Sequence, residues 1–177
     1  MEADVLRTLS TRYAEAVDAL DGSAFAALFT ADGELWVPDR AQGHLPAVCF
    51  KGTEALERIP AGLARYHSTR HEVGEATYDI DGDSGWATGE VHGIAHHLRV
   101  DSDGSDSHVA DSHVGDSPVA DGPAMADLAD PPGTDVIWYI RYVDDYVRSD
   151  LGWRISRRLL HLDRVEERAL DHLGPSR

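Results

Sequence analysis

Thr69-Arg-His-Glu-Val-Gly-Glu-Ala-Thr-Tyr-Asp-Ile80, Asp81-Gly-Asp-Ser-Gly85 and Trp86-Ala-Thr-Gly-Glu-Val-His-Gly-Ile-Ala-His-His-Leu-Arg-Val100 run without a break through the middle of the chain. The first and last of these pieces alternate with period two, and the cluster of glycine and aspartate between them is turn chemistry, so the stretch reads as a long antiparallel hairpin. Downstream, Val136-Ile-Trp-Tyr-Ile-Arg-Tyr-Val-Asp-Asp-Tyr-Val-Arg148 is dense in β-branched and aromatic residues, and Ser149-Asp-Leu-Gly152 turns it into Trp153-Arg-Ile-Ser-Arg-Arg-Leu-Leu-His-Leu162. Together these segments predict an antiparallel meander.

Upstream the period is helical. Ala3 to Leu20 places Leu6, Leu9, Tyr13, Val17 and Leu20 on one face of an amphipathic helix, ended by Asp21-Gly22. Ser23 is positioned to cap a second short helix through Leu28-Phe29, and Asp32-Gly33 to turn the chain into a short strand, Glu34 to Val37. Residues 39–50 read as irregular. Thr53 is expected to cap a third helix, Glu54 to about Tyr66, bent or broken at Pro60 and Gly62. Helices first and strands after predict an α+β domain in which a cone-shaped, curved antiparallel or mixed sheet and the N-terminal helices enclose a pocket.

The chain has 177 residues, 32 acidic and 16 basic, with a formal charge of −16. A surface that negative repels nucleic acid and anionic membranes, so neither is an expected partner. Nine of the aspartates lie in residues 101–135 with no lysine or arginine, leaving −7 for the other 142 residues. Asp101, Asp106, Asp111, Asp116 and Asp121 recur every five residues, a period that matches neither helix nor strand, amid glycine and proline. This segment reads as a disordered insertion between two strands of one domain spanning 1–177. The acidic start lacks the positive region of a signal peptide, and no apolar run approaches the ~18 residues of a membrane span, so a cytoplasmic protein is expected. Cys49 is the only cysteine, which excludes an intramolecular disulfide and a multi-cysteine metal site.

Arg12-Tyr-Ala-Glu-Ala-Val-Asp18-Ala-Leu-Asp21, Ala26-Ala-Leu-Phe-Thr-Ala-Asp32-Gly-Glu-Leu35, Phe50-Lys-Gly52-Thr-Glu-Ala55, Thr69-Arg-His71-Glu-Val-Gly74, Asp79-Ile-Asp-Gly-Asp83 and Arg141-Tyr142-Val-Asp144 through Trp153-Arg-Ile155 resemble, in order and spacing, the SnoaL-like family of the nuclear transport factor 2-like superfamily. The resemblance implies a cone wrapped around a pocket with the first helix across its mouth. It is similar in particular to the patterns of scytalone dehydratase and hexachlorocyclohexane dehydrochlorinase, in which an aspartate near the end of the first helix pairs with a histidine on the strand after the third. Asp18 and His71 occupy those places. Counting from Gly89 puts the second histidine of the dehydratase at His97, and its pocket asparagine at Tyr142. Its two catalytic tyrosines fall at Val17 and Val37, a departure that argues against scytalone as substrate. The pocket arginine of the dehydrochlorinase falls at or beside Arg148.

A His-Asp pair suits proton abstraction, because neutral imidazole, with an ordinary pKa near ~6.5, accepts a proton readily at neutral pH. Asp18 would fix the tautomer of His71 and stabilise the imidazolium that forms, with no nucleophilic serine or cysteine required. His97, Tyr142 and Tyr139 are the candidate donors or acids for the developing charge. Adjacent His96 and His97 point to opposite faces, so one of the two lines the pocket. Trp36, Trp138 and Tyr142 are expected as aromatic pocket walls, with Val17, Tyr139, Arg148 and His96 as further substrate contacts. His92 and His96 share a strand face but do not make a convincing metal site, and Arg154, Arg157, Arg158 and Arg164 read as surface ion pairs. There is no phosphate loop and no flavin or nicotinamide fingerprint, so no cofactor is expected. The expectation is a cofactor-free lyase, isomerase or cyclase acting on a small apolar intermediate of polyketide type, in a homodimer or homotrimer. Its rivals are a non-catalytic binding or oligomerisation module, and a pericyclase or spirocyclase that works by pocket shape.

Overall fold

The computed structural model describes residues 2–39, 44–100 and 132–173. Helix α1, Glu2–Asp18, buries Leu6, Leu9, Tyr13 and Val17 as the periodicity requires. Leu20 does not join them. It adopts a left-handed backbone with φ 56°, and its amide and that of Asp21 bond back to the carbonyls of Val17 and Ala16. Those two bonds close the helix in a Schellman motif, which turns the Leu20 side chain outward. Helix α2, Gly22–Ala26, is capped by the Asp21 carboxylate, which accepts from the Ala24 amide at 2.9 Å, not by Ser23. The expected third helix is broken as Pro60 and Gly62 suggest: α3 spans only Thr53–Glu57, and a 3₁₀ turn covers Pro60–Arg65.

Six strands follow in one sheet: β1 Phe29–Pro38, β2 Pro46–Lys51, β3 Ser68–Asp81, β4 Trp86–Val100, β5 Gly133–Ser149 and β6 Gly152–Leu170. The order across the sheet is β2-β1-β6-β5-β4-β3, antiparallel throughout except for the parallel pair β1 and β6. The sheet is curved and unclosed. Register shifts at Val73/Ala76 in β3 and at Tyr139/Ile140 and Asp145/Tyr146 in β5 mark its bends. β1 is longer than read, β6 runs eight residues past Leu162, and β2 occupies part of the stretch read as irregular. Residues 133–135, assigned from sequence to the aspartate-rich insertion, instead begin β5, and Asp135 is buried. Residues 101–131 of that insertion lie outside the described residues. Among the described residues no helix is long and apolar enough to cross a membrane.

On the concave face, Asp144 of β5 stands opposite Arg158 of β6, and both are fully buried. The guanidinium donates through Nε to Oδ1 at 2.8 Å and through Nη2 to Oδ2 at 2.6 Å, while Tyr146 donates its hydroxyl to the same Oδ2 at 2.6 Å. A third bond, 3.2 Å to Ser10 Oγ, ties the pair to α1. The flat cation is sandwiched between Tyr13 and Tyr142, with Cζ 4.3 and 4.4 Å from their ring centroids. Burial alone would discharge Arg158, but Asp144 beside it holds its pKa well above the ordinary arginine value. Arg158 is thus the centre of the core, not the surface ion-pair residue expected from sequence.

Gly22 marks a second tight contact: a Cβ there would lie 2.1 Å from the Glu57 carbonyl oxygen, so α2 and α3 meet backbone to backbone. Gly22→Ala is expected to lower stability by about 1–3 kcal/mol, because backbone must move to admit the methyl. Asp144→Asn, which strands a buried cation, is expected to remove about 3–5 kcal/mol in urea denaturation, and the double variant Asp144→Leu, Arg158→Met to recover much of that loss. An Asp144→Asn variant as stable as the parent contradicts this account.

Candidate functional site

The last residue of α1 reaches the first turn of β3. Asp18 Oδ2 accepts the His71 amide at 2.8 Å, and Oδ1 accepts the His71 ring Nδ1–H at 2.7 Å and the Thr69 hydroxyl at 2.8 Å. Thr69 and His71 are two apart on a strand, so both face the helix. Partial burial pushes the Asp18 carboxyl upward, but the hydrogen bonds from His71 and Thr69 outweigh it and hold its pKa below the usual carboxylate value. Because a carboxylate oxygen only accepts, the bond to Asp18 places a ring hydrogen of His71 on Nδ1. Thr69 had no part in the sequence reading, although the period of two places it beside His71.

His71 of this pair lines a cavity of about 240 Å³. Its lining is mostly apolar: Val17 from α1, Leu35 and Val37 from β1, Ile140 and Trp138 from β5, and Leu160 and Leu162 from β6. Tyr13, Tyr142, His71 and His97 also line it, and Arg65 stands at the end of the 3₁₀ turn that leads to β3. A volume just below the range of drug-sized sites suits a small ligand.

His97, one strand from His71, is 1% exposed and lies among three rings, with centroids 5.5 Å from His71, 4.8 Å from Tyr66 and 4.6 Å from Trp138. Burial, then the neighbouring His71, lowers its pKa to about 4, so it is neutral at physiological pH. Its Nδ1 faces the Val136 carbonyl at 3.3 Å and must carry the hydrogen, which leaves Nε2 an acceptor. Burial and the adjacent Tyr13 raise the Tyr142 phenol well above the ordinary tyrosine value, so it stays protonated.

His71, His97, Tyr142, Val17 and Trp138 therefore line one cavity, with Asp18 held behind His71, and four other predicted contacts do not reach it. Trp36 lies between Leu35 and Val37, which face inward, so its ring is on the other side and its indole N–H donates to Glu34 at 2.9 Å. Tyr139 is turned outward by the same alternation: its hydroxyl donates to Glu166 at 3.2 Å and its ring lies under Arg164 at 3.9 Å. His96 is on the outer face as well, where its Nδ1–H donates to Asp135 at 2.8 Å. Arg148 is at the far end of β5, held by Glu2 at 2.6 Å and the Gly82 carbonyl at 2.6 Å. Arg65, Leu160 and Leu162 were missed, because nothing local distinguishes a cavity arginine or leucine from any other. Among the described residues no three His, Cys, Asp or Glu side chains converge as a metal-ligand set.

Solved structures with this fold include a protein provisionally described as a scytalone dehydratase from Novosphingobium aromaticivorans, with 19% identity, TM-score 0.63, and 99% of this chain and 95% of that one covered. The hexachlorocyclohexane dehydrochlorinase LinA-type3 from Novosphingobium barchaimii aligns with 14% identity and TM-score 0.64 over 96% of this chain and 92% of that one. The Kfla4162 protein from Kribbella flavida aligns with 18% identity and TM-score 0.65 over 93% of each chain. No curated protein is significantly similar in sequence. A family model for the SnoaL-like domain matches residues 3–159, and the chain therefore belongs to the SnoaL-like family.

Proposed function

We propose that the cavity is the active site of a cofactor-independent acid/base enzyme, a lyase, isomerase or cyclase, whose substrate is a small apolar intermediate of polyketide type. The observation that carries this reading is the double hold of Asp18 on His71, through the ring N–H at 2.7 Å and the amide at 2.8 Å. It presents Nε2 as a base, and Asp18 stabilises the imidazolium formed when that base takes a proton. The names of two similar structures, a dehydratase and a dehydrochlorinase, denote eliminations and support the same reaction class.

In an elimination, His71 Nε2 removes a proton from carbon beside a carbonyl. The C–H electron pair becomes the new double bond as the leaving group departs with its own pair. For loss of water, the imidazolium of His71 returns the proton to the departing oxygen, so one histidine serves as base and then acid. Isomerisation differs only in returning the proton to another carbon. His97, neutral and with Nε2 as acceptor, holds a substrate hydroxyl in place and supplies no proton. The apolar wall excludes competing water and strengthens the charge interaction between Asp18 and the imidazolium.

The test is to incubate the protein with a pool of small apolar β-hydroxycarbonyl compounds in D₂O and follow products by mass spectrometry. A product lighter by one water, or deuterium gained on carbon, is expected with the parent and reduced ~10²- to 10⁴-fold by His71→Ala. Turnover unchanged in that variant sinks the dyad. The buried His97 makes a separate prediction. Unfolded, it binds a proton near pH ~6.5, but folded only near 4, so the stability it confers as a neutral group is complete above ~6.5 and lost as pH falls toward 4. The difference corresponds to about 3 kcal/mol, and His97→Phe is expected to flatten the fall of stability over that interval in urea titrations at successive pH values. An unaltered slope contradicts the assignment.

A further inference from the structure

The cavity is apolar on nearly every side, yet one permanent cation stands in its lining. Arg65 closes the 3₁₀ turn at the rim, where its Nη2 donates to the Tyr66 hydroxyl at 3.3 Å and its Cζ lies 5.0 Å from the Tyr66 ring. The Tyr66 ring in turn packs on His97 at 4.8 Å, so Arg65 is connected to the inner wall through one side chain. Among the described residues no carboxylate forms an ion pair with Arg65. The carboxylate at this site, Asp18, is committed elsewhere, to two donors on His71 and one on Thr69. Of the five N–H groups of a guanidinium, one is thus engaged, and the others are open to a ligand oxygen.

A cation left unpaired beside an apolar cavity is a recognition element for an anion attached to an apolar body. Arginine suits a carboxylate in particular, because its planar fork meets two oxygens at once. We infer that Arg65 binds the carboxylate of the substrate, so that the ligand class is a small apolar acid with its charged head at the rim and its body against Val17, Trp138 and Leu162. This inference rests on the reading of the cavity as the active site. It places the substrate end to end: head at Arg65, reacting carbon toward His71.

The experiment compares 2-naphthoate with its uncharged isostere 2-naphthamide by isothermal titration calorimetry, with no turnover required. The parent is expected to bind the acid about fivefold or more tightly than the amide, the scale of a partly solvated ion pair. Arg65→Gln is expected to remove that preference, and Arg65→Lys to keep part of it. Arg65 is exposed, so both variants are expected to unfold at the parent temperature. Nuclear Overhauser effects from the naphthalene ring to the methyls of Val17 and Leu162 are expected to place the probe in the cavity. Equal affinities for acid and amide, no binding of either, contacts only at other methyls, or a preference that survives Arg65→Gln would each overturn the inference. The His71→Ala variant is expected to keep the charge preference. Loss of the preference alone therefore overturns the role of Arg65, while unchanged turnover in His71→Ala overturns the proton-transfer reading.

Discussion

Burying a guanidinium and a carboxylate side by side is the constraint to which the other packing conforms. Arg158 and Asp144 are each without solvent contact, and their desolvation is tolerable only with near-complete compensation. Compensation here is geometric: two parallel hydrogen bonds, a tyrosine hydroxyl on the carboxylate, a serine on the guanidinium and an aromatic ring on each face of it, with Nη1 alone of the guanidinium nitrogens left without a hydrogen-bond acceptor. Ser10 and Tyr13 come from α1, and Tyr142 and Tyr146 from β5. No large slide or rotation of the helix over the sheet keeps Ser10 and Tyr13 on Arg158, so the pair sets the seat of α1. From Ser10 to Asp18 the helix rises about 12 Å, which carries the carboxylate of Asp18 to the start of β3 and no farther.

Two acid–base pairs consequently share one helix and play opposite parts. The pair around Arg158 is closed, its cation held charged by Asp144 and its tyrosines held protonated by burial. The pair of Asp18 and His71 is open on one side, with a ring nitrogen available to the cavity. Tyr13 and Tyr142 connect them, since both stack on Arg158 and both line the cavity. The part of the cavity wall made by Tyr13 and Tyr142 is therefore backed by a buried charged layer, which is the kind of support that holds a cavity in one shape.

How much of this was legible depended on parity and on range. The hairpin of β3 and β4 could be read because its alternation is sustained and its turn contains the expected residues. β2 could not: it is an edge strand paired only with β1, mostly exposed, and shows no apolar alternation to detect. Asp18 and His71 were found through resemblance, since a helix periodicity that places Val17 inside leaves the direction of its neighbour open. Trp36 and Tyr139 follow from parity, for alternation forbids both Trp138 and Tyr139 from one face, and likewise Trp36 from the face that holds Leu35 and Val37. The same rule separates His97 from His96. Arg158 and Asp144 were beyond reach, because a buried ion pair is a relation between strands and neither residue differs in sequence from the surface pairs around it, such as Asp145 with Arg157.

Charge shows the same separation between total and local. The chain carries −16, yet no carboxylate lines the cavity: Asp18 lies behind His71, bonded to His71 and Thr69, and Arg65 is the cation in the lining. Exposed charges farther than about 8–10 Å are largely screened at physiological ionic strength, so the acidity of the surface contributes little inside the rim. It acts instead on the last part of the approach: an anionic ligand within that distance of the surface meets repulsion first and attraction only at contact. Such a site selects by the strength of its short-range fit, not by steering, and association should become faster as salt rises while the bound state is weakened far less. An apolar body is what makes that arrangement workable, because burial against the leucines and Trp138 supplies affinity that no ionic screening removes.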